Sequence, residues 1–245
     1  MKNSIKVLSI LGLLVGANSC SFIYYPTYPV VPDATDNGFG LQGTIGLTKA
    51  QLSAWYAIDS NWYFTSTFAG AFSALGDADS NTTEGNLGSK AITVGAGYNL
   101  HLSNNADFNI QGGAGISQGY FRTPAFRSVN SNSVFGDLVN TQSTRIYLQP
   151  SFRIDRGKGG FYMIPRVTYE SFTSVNPKKG NAEFTKRNFL ITEFFLMGRF
   201  KLKMVNIDLY GGVAANTSNS NGQYEETWIA QPFVFGFGLS KTFGQ

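Results

Sequence analysis

Apolar and polar residues alternate along most of this chain with a period of two. In Thr144 to Asp155 one face reads Ile146, Leu148, Pro150, Phe152, Ile154, and the other Arg145, Tyr147, Gln149, Ser151, Arg153. Successive side chains of a β-strand point to opposite faces, so this is the pattern of a strand with one apolar and one polar side. The same split gives outward sets Ile92, Val94, Tyr98, Leu100; Phe108, Ile110, Ile116; Leu190, Phe194, Leu196, Phe200, Leu202; and Phe233, Phe235, Phe237, Leu239. A soluble sandwich buries its apolar faces under a second layer. Helical periodicity, which could supply such a cover, is almost absent. A closed barrel with its apolar face toward lipid and its polar face toward the interior accommodates every strand at once.

The pattern predicts an all-β, antiparallel up-and-down transmembrane barrel with strands at 39–47, 49–58, 62–73, 90–101, 105–120, 144–155, 159–172, 189–202, 205–216 and 228–243. Short connections such as Asp59-Ser60-Asn61 and Arg156-Gly157-Lys158 alternate with segments at 74–89, 121–143, 173–188 and 217–227 that are rich in Ser, Asn, Gly and Thr. Short turns on one side and long loops on the other are the habit of outer-membrane barrels, whose short turns are periplasmic. Ten strands put both barrel termini on that side. The count depends on a hairpin around Thr48-Lys49. One continuous strand over 39–58 gives nine, and an eight-stranded barrel preceded by a packed amino-terminal segment is the remaining alternative. Aromatics gather at the expected boundaries: Trp62, Phe161 and Phe243 at the turn end, Phe72, Tyr169 and Trp228 at the loop end.

Composition changes the picture little. Charged residues are 14%, aromatics 15%, and 28 glycines suit short strands and tight turns. Mean hydropathy is −0.09 because lipid-facing and interior residues cancel. The start reads as a secretory signal over 1–19, with Lys2 and Lys6 ahead of an apolar run from Val7 to Val15 that is too short to span a bilayer as a helix. Ordinary cleavage after Ser19 and lipoprotein cleavage before Cys20 fall at one bond. The site resembles a bacterial lipobox, with Ala17 where Leu is usual. Cys20 is the lipidation candidate and the chain's single cysteine, which excludes an internal disulfide framework. Lys2 and Lys6 supply two of the formal +4 charges, so the basic balance belongs partly to the signal and implies no nucleic-acid partner. Residues 20–37, with Tyr24, Tyr25, Pro26, Tyr28, Pro29 and Pro32, read as a periplasmic linker or a short plug, since prolines forbid a helix and disfavour a central strand. The barrel domain is 38–245.

Over 38–245 the chain resembles small outer-membrane β-barrel proteins of Gram-negative bacteria. The resemblance rests on the alternating strands and on the final segment Phe233-Val234-Phe235-Gly236-Phe237-Gly238-Leu239-Ser240-Lys241-Thr242-Phe243. That segment is similar to the carboxy-terminal signal read by the barrel-assembly machinery, with Lys241 at a usually apolar place and Gly244-Gln245 trailing. The resemblance implies an outer-membrane address, contact with outer-membrane lipid and lipopolysaccharide, and assembly by that machinery. It implies no activity.

The interior is where function would lie. Strands one to five and the last two point small groups inward, among them Gly40, Thr44, Gly46, Ala69, Gly95, Gly97, Gly113, Gly212 and Gly236. The wall from 144 to 202 carries bulk and charge. Inward cations Arg145, Arg153, Arg166, Arg199 and Lys201 nearly balance Asp107, Glu170, Glu193 and Asp208. Buried charges persist when paired, so a salt-bridge network in a largely filled lumen is the first expectation. A small ion or solute channel is the second, with Arg145, Arg166, Glu170 and Glu193 as selectivity residues. An outer-membrane hydrolase is third. Omptin-type proteases need a histidine and acids at the outer rim, and phospholipase or deacylase barrels need a Ser–His pair on the membrane-facing side. The only histidine, His101, falls at a turn on the opposite end. We therefore expect no enzyme. With one His and one Cys no transition-metal cluster is expected, and Asp77, Asp79 and Glu84 lack calcium-loop spacing. No cofactor is implied. Two loops point to partners: Lys178, Lys179, Lys186 and Arg187 against lipopolysaccharide phosphates, and 121–143, apolar enough to fold over the mouth or dock on a partner protein.

Overall fold

A computed structural model of the chain describes residues 26–32, 38–47, 49–72, 88–122, 138–177, 188–217 and 233–243. Ten strands run in sequence: β1 (Phe39–Gly46), β2 (Lys49–Ala57), β3 (Trp62–Phe72), β4 (Gly88–Ser103), β5 (Ala106–Arg122), β6 (Leu138–Arg156), β7 (Gly159–Pro177), β8 (Asn188–Lys201), β9 (Asn206–Asn216) and β10 (Phe233–Phe243). Each pairs antiparallel with its sequence neighbours, and β1 pairs with β10 to close the barrel. The hairpin near Thr48 is real: Ile45 faces Ala50 across β1 and β2, so the nine- and eight-stranded alternatives are excluded.

The short turns have local causes. The Asp59 carboxylate accepts the backbone N–H of Asn61 at 2.8 Å and of Trp62 at 2.6 Å, which closes β2 onto β3. The Trp62 and Asn61 amides hold its carboxyl below the usual carboxylate range. Gly157, at φ +58°, supplies the left-handed residue of the two-residue β6–β7 turn, where a side chain would be strained.

Strand lengths differ from the expectation in one region. β6 begins at Leu138 rather than 144 and β7 continues to Pro177 rather than 172, so the segments 121–143 and 173–188 are partly strand. The described part of β10 begins at Phe233; 228–232, with Trp228, lie outside the described residues. The extensions escaped notice because both faces are polar there, as in Asn140, Thr141, Gln142 and Ser143, and no alternation marks them.

Outward apolar positions form one belt around the barrel. In β5, β6 and β7 it runs from Phe108 to Ile116, Ile146 to Ile154 and Phe161 to Tyr169. These spans of roughly nine residues match what a tilted strand needs to cross a hydrocarbon layer. Ile146 is 64% exposed and Ile116 61%, values that no water-facing sheet sustains across ten strands. Lys90, Gln118 and Gln142, direct cross-strand neighbours and all outward, end the belt on the long-loop side. Trp62, Phe161 and Phe243 edge it at the turn end. At the closing seam, the rings of Phe39 and Phe243 stack at 6.2 Å.

Candidate functional site

The lumen is built by the inward residues of all ten strands, and the small ones prove to be seats for large ones. Gly40 faces Trp55, Gly97 faces Tyr63, Gly113 faces Tyr147 and Gly212 faces Phe195, each across a single strand pair. A Cβ on Gly40 would stand 2.0 Å from the Trp55 ring, and one on Gly97 2.2 Å from that of Tyr63. The half of the barrel expected to present small groups therefore also carries Gln42, Lys49, Gln51, Trp55 and Tyr63 inward, all buried. That is a correction. Asymmetry between two walls gives way to a ring lying over a glycine at four places.

Residues 26–32 occupy the centre. Their backbone is bonded to the wall, and the rest of 20–37 lies outside the described residues. Gln51 brackets Tyr28, accepting its N–H at 2.8 Å and donating to its carbonyl at 2.9 Å. Arg166 donates to the Thr27 carbonyl at 2.6 Å and hydroxyl at 3.2 Å. Lys49 donates to the Pro26 carbonyl and lies over the Tyr28 ring at 4.3 Å. Gln149 and Arg199 reach the carbonyls of Val30 and Val31. Three prolines remove amide donors from this stretch and fix an extended path, and wall side chains bond six of its remaining backbone groups. Tyr28 and Val31 join Tyr162, Ile164, Phe195, Met197, Tyr210 and Val234 in one apolar cluster inside the barrel.

Inward charges stand in pairs. Arg145 pairs with Glu170 at 3.1 Å, Arg166 with Glu193, and Arg199 with Asp208 at 2.7 Å, each on adjacent strands and nearly inaccessible. Hydroxyl and amide donors join these acids. Ser143 donates to Glu170. Thr168 donates to Glu193 at 3.1 Å. Gln42 and Ser240 donate to Asp208 at 2.8 and 3.0 Å. Charge-assisted bonds of this kind are what a low-dielectric interior requires. Sequence reasoning missed Asp155, the shared counter-ion of Arg153 and of Lys201, the latter at 2.7 Å. Alternation along β6 places it inward and could have found it. Lys49 was missed because it sits at the hairpin whose position was least certain.

No family model matches the chain, and no curated protein does. Among solved structures the chain is similar to the N-terminal β-barrel domain of OprF from Pseudomonas aeruginosa, at 9% identity and TM-score 0.35, covering 85% of this chain and 98% of that one. It is also similar to the translocator domain of the autotransporter NalP from Neisseria meningitidis, at 8% identity and TM-score 0.44, covering 85% and 86%.

Beneath the plug, at the short-turn mouth, a vestibule of about 810 Å³ is lined by Asp107, Arg153, Asp155, Lys201 and Lys241 among others. His101 stands at its rim, half exposed, with Nδ1 2.7 Å from Asp107. Cys20 and the loop residues Lys178, Lys179, Lys186, Arg187, Asp77, Asp79 and Glu84 lie outside the described residues.

Proposed function

We propose that this is an outer-membrane β-barrel whose lumen is kept filled by its own amino-terminal segment, and that it serves as a structural, binding or accessory membrane protein rather than as a conduit or an enzyme. One observation carries the reading: five wall side chains, Lys49, Gln51, Gln149, Arg166 and Arg199, hold successive backbone groups of residues 26–32 inside the barrel. A pore needs a continuous polar path, and here the arginines expected to select ions are bonded to acids and to the plug. Two further observations support the address. The apolar belt has the height of a bilayer, and the connections at one end, 58–61, 104–105, 157–158 and 202–205, are all short, whereas the other end carries every long connection beside the β1–β2 hairpin; we assign the all-short end to the periplasm together with both barrel termini. The long-loop end then faces lipopolysaccharide, where Lys178, Lys179, Lys186 and Arg187 would meet its phosphates and the 123–137 segment would meet a protein partner. Biogenesis through the barrel-assembly machinery and lipidation of Cys20 belong to the same proposal, the latter read by the mass of the mature protein. His101 pairs with Asp107 at the turn end, which supports a structural role for it and argues against a hydrolase.

The test is single-channel conductance in a planar bilayer, on protein shown to be folded by a heat-dependent gel shift. Silence is expected. Steady, reproducible steps from the wild-type chain would overturn the filled-lumen reading in favour of a channel.

A further inference from the structure

A closed barrel has no free edge, so a proline inside its wall deletes a hydrogen bond of the ladder. Pro150 and Pro165 stand at the middle of the apolar spans of β6 and β7, 146–154 and 161–169. They also stand opposite each other. The two strands pair at Leu148 with Val167 and again at Phe152 with Met163, and between these rungs 149–151 and 164–166 are unpaired. The other edge of each proline is intact, with Ile110 of β5 facing Pro150 and Phe194 of β8 facing Pro165. Both ring nitrogens therefore point into one seam, where two N–H donors are missing and the two proline carbonyls lose their ladder partners. The other two irregularities among the described pairings, between His101 and Ser103 and between Gln142 and Ser143, lie toward strand ends. Irregular backbone at membrane depth is costly against lipid and is found where it borders protein or a cavity.

We propose that this gap is a lateral window in the wall, and that it takes the end of a lipid acyl chain from the bilayer. The window thereby gives the binding role proposed above a ligand class, resting on the same outer-membrane assignment. Its level is the centre of the belt, where the acyl chains of the two leaflets end, so what meets it is a chain terminus and no headgroup. Its frame is apolar and outward: Leu148 and Val167 on one side, Phe152 and Met163 on the other. The framing rungs are four residues apart, roughly 14 Å along the strands, and with no hydrogen bond to break between them the strands can bow apart. On the inner side Arg166 is committed to Glu193 and Thr27. Gln149, opposite it, reaches the Val30 carbonyl and Gln111 at only 3.4 Å, the loosest hold on residues 26–32, and so forms the leaf that swings aside. Next to it the small Ser151 faces Ile164, which continues inward into Phe195 and Met197. A chain end entering there meets apolar groups while Tyr28 and Val31 stay seated, so the lumen remains closed to ions.

The test reconstitutes the full chain, its fold confirmed by the heat-dependent gel shift, in phosphatidylethanolamine and phosphatidylglycerol vesicles. These contain a phospholipid with a diazirine at the end of one acyl chain, and photo-adducts are mapped by peptide mass spectrometry. Wild type is compared with Pro150→Val/Pro165→Val, which returns both N–H donors and closes the rung. Both proteins should carry adducts on the outward Leu148 and Val167. Adducts on the inward Ser151 and Ile164 should appear in the wild type and fall about tenfold or more in the double variant, as two regained backbone bonds imply. Outward adducts without inward ones in the wild type overturn the inference and leave the membrane reading standing. Inward adducts of equal yield in both proteins also overturn it, since the chain then enters elsewhere. Absence of outward adducts overturns the membrane reading, and the window with it. Should the double variant lose the gel shift, Pro165→Val alone returns one donor, and an unchanged inward yield there overturns the window.

Discussion

Replacing Arg166 by methionine separates a structural network from an ion path. The guanidinium donates to Glu193 through Nε and Nη2, the latter at 2.8 Å, to the Thr27 carbonyl at 2.6 Å, and lies 5.0 Å from the Phe195 ring centre. Methionine keeps the stem's packing and deletes the charge. The Glu193 side chain, with no accessible surface, would be left with the Thr168 hydroxyl as its remaining bond partner shown here. Breaking a buried ion pair from one side costs about 3–5 kcal/mol. Loss of the charged bonds to Thr27 adds roughly 1–3 kcal/mol, the two being coupled and so less than additive. We expect a loss of about 4 kcal/mol, measured as the shift in urea unfolding of vesicle-inserted protein followed by the gel-mobility difference. The double variant Arg166→Met/Glu193→Gln removes the stranded charge and should regain roughly half, because the plug bonds stay lost. In a bilayer the single variant should show flickering conductance as the plug loosens. A stability loss below about 1 kcal/mol, or a double variant no better than the single, would refute this account of the network.

Other expectations follow from the same geometry. A Cβ at Gly236 would fall 2.4 Å from the Tyr28 ring. Gly236→Ala should therefore cost roughly 1–3 kcal/mol and raise bilayer current, and an unchanged urea midpoint would count against this packing. The Asp59 carboxyl is held below its ordinary value by the Trp62 and Asn61 amides. It therefore stabilises the β2–β3 turn above its unfolded pKa of about 3.9, and that contribution fades as pH falls through the lower folded value. Trp62 fluorescence should report the change, and Asp59→Asn should flatten the pH profile; an unchanged profile would count against the capping role. His101→Ala should shift the urea midpoint by less than about 1 kcal/mol equivalent, as expected for an exposed pair. It should also leave any lipid or peptide hydrolysis detected in the preparation untouched, whereas abolition of such activity would restore the hydrolase reading.

The architecture was legible wherever lipid meets one face of a strand. Ile146 to Ile154 and Leu190 to Leu202 announce themselves because the environment on the two sides differs in the strongest way available to a side chain. Asn140 to Ser143 do not, since they rise beyond the belt and are polar on both faces. The inward charges were found by alternation, and their pairing by electroneutrality. Their register was not, because whether Glu170 meets Arg145 or Arg153 depends on how β6 and β7 slide, and no local residue records that. The fate of residues 26–32 was the least legible. Their prolines exclude helix and central strand, but what holds them comes from β2, β6, β7, β8 and β10, up to 207 positions away in the chain. Rings over glycines were hidden for the same reason: Trp55 and Gly40 become a pair only once β1 and β2 are aligned.

The seam between β1 and β10, with Phe39 stacked on Phe243, sets an order of events. Once it is shut, the ten strands form a hoop without a gap, and the Tyr28 ring stands against Gly46 and Gly236 with its own backbone bonded to Gln51. Feeding that ring in afterwards would mean stripping Arg166 and Arg199 from their acids along the way. The arrangement favours strands that fold around residues 26–32 before the hoop closes. Early and late synthesis thus meet at one step, and any machinery that catalyses closure works on a barrel already loaded.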